Sequence, residues 1–242
     1  MVKDNKNIDR GDNVYVVIVA AGSGSRFGSA IHKQFLPLAG RPVLAHTVGA
    51  FVKAMPEAKI ILVLSEDGMH IWPDIAAQYG FPEIMIAEGG ASRTESVRNA
   101  LALLDGRADD DTVVMVHDGA RPLVNVDMIR AVLAAIRHAD VKAAVPVMPL
   151  TEALANDCGD TVTPAPRECF RTVQTPQAFK AVTLTEAYRR AGDEVMPDDA
   201  AVVHRFADVP IRAVPGHPQN IKITNPNDLA IAELLLANPL PY

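Results

Sequence analysis

Short runs of aliphatic and β-branched residues recur along the chain at Val14–Ala20, Lys59–Ser65, Glu83–Ala87, Thr112–His117 and Lys142–Met148. Between them lie stretches with apolar residues three and four apart, near Val43–Met55, Met69–Tyr79, Ser92–Leu104 and Asp127–Ala139. Near-continuous apolar runs suit strands buried on both faces, and the wider spacing suits helices that bury one stripe. Their alternation predicts an α/β fold: a doubly wound, mostly parallel sheet with helices on both faces. From Pro146 to Pro176 the regularity fails, because prolines at 146, 149, 164, 166 and 176 interrupt it and Asn156–Asp160 has the composition of a turn. A projecting β-arm over residues 147–170 is the expectation. A helix at Ala178–Ala191, a short strand at Ile211–Val214 and a closing helix from Asn225 or Pro226 to Leu236 complete the pattern. Pro226 would occupy the first helical position, where its missing N–H costs nothing.

The chain has 242 residues, enough to bury a sizeable core, and no repeat or shift in composition calls for a second unit. One domain over residues 13–242 is expected after a polar, disordered tail over residues 1–12. A formal charge of −6 and a 5% aromatic share argue against a nucleic-acid partner, which would require a basic or stacking surface. Phosphate ligands must then meet a local group of Arg and Lys. Cys158 and Cys169 stand alone, with no metal-ligand spacing, and no apolar run reaches the length of a membrane span. The expectation is a cytoplasmic protein with reduced thiols, no membrane partner and no protein metal ligand.

The first strand runs into Ala20-Ala21-Gly22-Ser23-Gly24-Ser25-Arg26-Phe27-Gly28. A glycine-rich loop at the carboxyl end of a strand lets backbone N–H groups approach phosphate oxygens, although such a turn can also serve packing alone. A dinucleotide fingerprint needs an acidic residue about 20 positions on, and none occurs between Asp12 and Glu57. A Walker A loop needs Gly-Lys followed by Ser or Thr, which the chain lacks. What the loop does have is Arg26, with Lys33 seven residues later, so two cations face one cradle.

Ala20-Ala21-Gly22-x-Gly24-x-Arg26 followed by Lys33-Gln34-Phe35 resembles the opening of the Rossmann-like nucleotidyltransferases that make sugar-nucleotide-like products. His117-Asp118-Gly119-Ala120-Arg121-Pro122, Thr175-Pro176-Gln177 and Asn220-Ile221-Lys222-Ile223-Thr224 narrow the resemblance to the 2-C-methyl-D-erythritol 4-phosphate cytidylyltransferase family. The similarity extends from Val14 to about Leu236, with four motifs in order. It implies transfer of CMP from CTP to 2-C-methyl-D-erythritol 4-phosphate, releasing pyrophosphate, in non-mevalonate isoprenoid synthesis. Mg²⁺ would arrive bound with CTP. The resemblance further implies that Arg26, Lys33 and Lys222 are the catalytic cations. It assigns the nucleotide to Ala20, Ala21, Gly22, Gly24, Gly89, Gly90, Ser96, Asp118 and Gly119. The acceptor falls to Asp118, Arg121, Thr151, Arg167 and Lys222. Thr151 and Arg167 would be delivered by the arm to a second subunit, making the enzyme a homodimer with a shared site.

Local readings stand beside these. Ser92 with Glu95 three residues on reads as a helix cap and capping box, Asp118 could itself cap a helix, and Arg167 could be an exposed loop cation. The chain also departs from the family pattern: His32 replaces the usual proline before the loop lysine, and Leu150-Thr151-Glu152-Ala153 lacks the usual Asp-Thr and basic residue. Ribitol 5-phosphate cytidylyltransferase is an alternative, against which Ala120 stands where that enzyme usually has valine. A non-catalytic nucleotide-binding protein of the same fold is a second, against which Arg26, Lys33 and Lys222 are all present.

Overall fold

The computed structural model describes residues 13–22 and 32–240. The expected tail and two expected site residues, Gly24 and Arg26, lie outside them. Strand β1 (Val14–Val19) forms the centre, with β4 (Lys59–Leu64) and β6 (Val113–Asp118) parallel on either side and β5 (Met85–Glu88) parallel beyond β4. Between β1 and β4 come a two-residue pair, β2 (Pro37–Leu38) with β3 (Arg41–Pro42), and helix α1 (Val43–Ala54). Helices α2 (Glu66–Tyr79), α3 (Arg93–Ala102) and α4 (Val126–Ile136) complete the alternation.

Alternate residues of β1 serve opposite layers. Val14, Val16 and Ile18 pack with Leu44, Val48 and Phe51 of α1, Trp72 of α2 and Met128, Val132 and Ile136 of α4. Tyr15 and Val17 face Val97 and Leu101 of α3 on the other side. A central strand covered on both faces carries no polar alternation, which is why VYVVIV reads as an unbroken apolar run. Helix α2 begins three residues before the expected Met69, since the Ser65 hydroxyl accepts from Gly68 N at 3.3 Å and Glu66 and Asp67 suit a helix N-terminus.

The second half departs further from expectation. After β7 (Ala143–Pro149), residues 178–180 do not begin a helix: β11 (Gln177–Lys180) inserts antiparallel between β6 and β7, and helix α5 starts at Ala181 and runs to Ala191. Central pairing with β6 buries Phe179 completely and overrides the local helical spacing. A further helix, α6 (Asp199–Ala207), occupies sequence that the apolar spacing left unassigned, and it is capped by the Asp198 side chain on Ala201 N at 2.8 Å. Helices α5 and α6 cover the Tyr15 face through Leu184, Tyr188, Val202 and Val203. Strand β12 (Arg212–Pro215) pairs parallel with the outer side of β7. Helix α7 (Pro226–Ala237) closes the chain with Pro226 in its first turn and a capping box between Asn225 and Asp228.

Within the expected arm, residues 147–149 still belong to the main sheet, paired with β10 (Arg171–Val173). Beyond them β8 (Leu154–Asp157) and β9 (Val162–Ala165) form a separate antiparallel hairpin of mostly exposed residues. Its turn is Cys158–Thr161, beginning two residues later than the composition suggested, because Asn156 and Asp157 pair with Thr163 and Val162. Among the described residues no helix is long and apolar enough to cross a membrane.

Candidate functional site

The carboxyl ends of β1 and β6 lie side by side, with Val19 in register with Asp118. Ligands of open α/β sheets collect at such an edge, and here the chain leaves a cleft of about 400 Å³. Ala20, Ala21 and Gly22 line it on the β1 side, and Gly90, Ser92 and Ser96 line it from the start of α3. Lys33, Asp118 and Lys222 complete the expected lining residues, brought from three separate parts of the chain.

Two of the expected glycines act from behind the wall. A Cβ on Gly89 would lie 2.1 Å from the Cβ of Ala21, so the α3 loop packs against the end of β1 only because that position is glycine. A Cβ on Gly119 would lie 2.9 Å from the Ala20 Cβ and 3.0 Å from Val19 O. The loop between is held from within: the Ser96 hydroxyl donates to Ser92 O at 2.8 Å and accepts from Gly90 N at 3.0 Å. Ser92 caps α3 through Glu95 N at 3.0 Å as the sequence predicts, but the Glu95 carboxylate takes Ala91 N at 2.7 Å rather than closing the expected box on Ser92 N.

Asp118 is the electrostatic centre. Its Oδ2 meets Lys222 Nζ at 3.0 Å and Arg121 Nε at 3.3 Å, and its Oδ1 meets Arg93 Nε at 3.4 Å. Burial alone would raise this carboxyl, but Arg93, Lys222 and Arg121 together hold it far below the usual carboxylate range. Asp118 is therefore an anion that organises cations. Arg121 completes its own contacts on Asn220 O at 2.8 Å, behind the cleft, while Lys33 Nζ donates to Ile223 O at 3.0 Å. The segment 220–223, which carries Lys222, is thus tied to both Arg121 and Lys33.

The backbone of Asp118 is fixed as well. Its N–H donates to the Thr175 hydroxyl at 3.1 Å, and that hydroxyl lies 3.0 Å from His117 Nδ1. His117 Nε2 is 3.2 Å from Arg121 O, so the imidazole carries its proton on Nε2 and accepts from Thr175 on Nδ1. Burial is the main force that lowers the His117 pKa to about 3, so the ring stays neutral.

Thr151 and Arg167, expected at a partner's acceptor, do not line this cleft. Arg167 Nη1 donates to Thr151 O, so the structure brings this pair together on the exposed segment around the hairpin and not beside Asp118. Other residues carry more weight than the sequence reading gave them. Gln34 is buried and donates its amide to Ala20 O, anchoring the residue next to Lys33 onto the loop. Arg93 lines the cleft and reaches Asp199 Oδ2 at 2.7 Å, across 106 residues of sequence. The signal for Arg93 was its place after the glycine pair; Asp199 had none, because Asp198-Asp199 reads as solvated charge.

The sequence profile of the family described as IspD, 2-C-methyl-D-erythritol 4-phosphate cytidylyltransferase, matches residues 14–238. The chain belongs to this family. A 2-C-methyl-D-erythritol 4-phosphate cytidylyltransferase of Bacteroides fragilis is 40% identical over 225 residues, covering 91% of this chain and 98% of its own. Among solved structures, the Thermus thermophilus enzyme of the same name is 33% identical with a TM-score of 0.69, covering 91% of this chain and 98% of that one. The 4-diphosphocytidyl-2C-methyl-D-erythritol synthase of Anaerococcus prevotii is 26% identical with a TM-score of 0.80, covering 97% and 100%. The match of family to residues 14–238 takes in every described element from β1 to α7.

Proposed function

We propose that the chain transfers CMP from CTP to 2-C-methyl-D-erythritol 4-phosphate, giving 4-diphosphocytidyl-2-C-methyl-D-erythritol and pyrophosphate. The observation that carries the proposal is the cation group converging on one cleft at the carboxyl edge of the sheet, Lys33 and Lys222 with Asp118 between β1 and the 220–223 segment. An acceptor phosphate oxygen attacks the α-phosphorus in line, the new P–O bond forms as the bond to the β-phosphate oxygen breaks, and pyrophosphate leaves with the electron pair. No covalent intermediate with the protein is required. Positioning and preorganised positive charge supply the acceleration, with Lys33 on the triphosphate and Lys222 at the crowded α-phosphate. Arg26 joins them from the loop, as the family resemblance implies. Asp118, its carboxyl held low by the surrounding cations, aims Lys222.

Among the described residues no three His, Cys, Asp or Glu side chains come together as a metal site. Among the described residues that line the cleft Asp118 is the one carboxylate, and cations engage both its oxygens. That donor set fits Mg²⁺ held chiefly by phosphate oxygens and delivered with CTP, which Asp118 could join only in place of a paired cation. Bound there, the ion would neutralise phosphate charge.

Also part of the proposal are a cytoplasmic setting, in keeping with the unpaired thiols of Cys158 and Cys169, and a homodimer in which the hairpin segment carries Thr151 and Arg167 to the partner's acceptor. The deciding experiment measures pyrophosphate release from CTP with 2-C-methyl-D-erythritol 4-phosphate or ribitol 5-phosphate as acceptor. A large excess in kcat/KM for the erythritol compound is expected. Preference for the ribitol compound, or no release with either, overturns the reading.

A further inference from the structure

Behind the cleft runs a chain of buried polar contacts that the reaction chemistry does not call for. Asp199 has no exposed surface. Its Oδ1 accepts from the Tyr188 hydroxyl at 2.6 Å and its Oδ2 from Arg93 Nη2 at 2.7 Å. The Tyr188 side chain is itself buried, and burial with the neighbouring Asp199 charge drives its pKa up, so it remains a proton donor throughout. Arg93 then offers a second donor, Nε, to Asp118 Oδ1 at a longer 3.4 Å, while Lys222 Nζ holds Asp118 Oδ2 at 3.0 Å. One guanidinium spans two carboxylates, tightly on the buried one and loosely on the one that faces the cleft.

That asymmetry decides which cation Asp118 holds. A guanidinium prefers to grip a carboxylate through two parallel bonds. Without a competitor, Arg93 would turn its fork fully onto Asp118 and displace Lys222 from it. Asp199, fixed at the first residue of α6 and braced by Tyr188 from α5, withholds Arg93. We infer that Asp199 is a positioning residue for the nucleotidyl transfer, acting through Arg93 and Asp118 to leave Lys222 aimed into the cleft. Tyr188 is its brace. This rests on the proposed role of Lys222 at the transferred phosphate. A purely structural tie between α3 and α6 would be satisfied by any arrangement that buries the pair, and would not require Arg93 to stop short of Asp118.

The test is a double-mutant cycle on the full-length protein, with CTP, Mg²⁺ and 2-C-methyl-D-erythritol 4-phosphate, measuring kcat, KM and melting temperature. Asp199→Asn should lower kcat about 100-fold with the KM for CTP changed little, since the triphosphate contacts of Lys33 are untouched. In a Lys222→Ala background the same substitution should cost almost nothing further, because the group it positions is gone. If Lys222→Ala alone leaves kcat unchanged, the reading of Lys222 fails. If Lys222→Ala is impaired but Asp199→Asn is fully additive with it, or leaves kcat intact, the inference about Asp199 fails while that reading survives. Should Asp199→Asn not fold, Tyr188→Phe runs the same cycle: it removes only the brace, and a fall of about tenfold in kcat that vanishes with Lys222→Ala is expected. An additive or absent effect of Tyr188→Phe overturns the proposal equally.

Discussion

Single side chains in this site do distinct work, which makes their removal separable. Lys33 reaches Ile223 O from a partly exposed position, so Lys33→Ala should keep the fold. Turnover should nonetheless fall on the order of 10²–10³ if the ammonium stabilises charge developing on the phosphates. Steady-state kinetics beside a thermal melt checks this, and near-normal activity would remove Lys33 from the chemistry. His117 makes a prediction about stability. Its folded pKa is depressed to about 3, first by burial, against an ordinary value of 6.5. Between those values the unfolded chain binds the extra proton, so stability is complete above pH 6.5 and is lost as pH falls toward 3. At pH 5 the loss from this ring should be about 2 kcal/mol. Urea denaturation at pH 7 and pH 5 should show His117→Gln losing less than the parent by that amount; equal losses would contradict it. Sequence points to Lys33 through its place beyond the glycine loop, and to Asp118 and Lys222 through the family resemblance. It could not supply Asp199, whose meaning comes from a guanidinium 106 residues away.

Elements fix those side chains through close backbone approach. The loops that follow β1 and β5 touch at Ala21 and Gly89, with no room for a methyl group at position 89. Gly89→Ala must move one wall of the cleft relative to the other, at a cost of about 1–3 kcal/mol. A melting temperature lower by several degrees together with a KM for CTP raised about tenfold is expected. Unchanged values for both would show that the wall yields freely. The longer strands and helices of the first half were legible because each carries one dominant period, whereas the two-residue pair β2–β3 was not. The error at Ala178–Lys180 has a physical source: a four-residue strand buried at the sheet centre and continuous with a helix shares that helix's apolar residues, so periodicity merges them. Helix α6 escaped because its nine residues begin in an Asp-Asp pair that resembles a loop until its cap bonds are seen.

For the molecule as a whole, the hairpin β8–β9 is a two-stranded sheet of its own, paired with none of the main-sheet strands. Replacing residues 154–165 with a short flexible turn should therefore leave the core folded. If the hairpin joins two subunits, the shortened protein should run as a monomer by light scattering and lose most of its acceptor-dependent turnover. A persistent dimer would assign the contact to another surface. The prolines announced an irregular segment here, but no local signal could say that Thr151 and Arg167 would bond each other within it.

The hairpin returns to the sheet through β10, and two residues beyond that strand the Thr175 hydroxyl receives the amide of Asp118. Gln174 secures the span to Pro146 and His217. A displacement imposed on the hairpin thus has ten residues to travel, from Ala165 to Thr175, before it tilts the carboxylate around which the cations gather. If the hairpin joins two subunits, that contact and the geometry of the cleft share one mechanical lever, and evolution cannot adjust the one without testing the other.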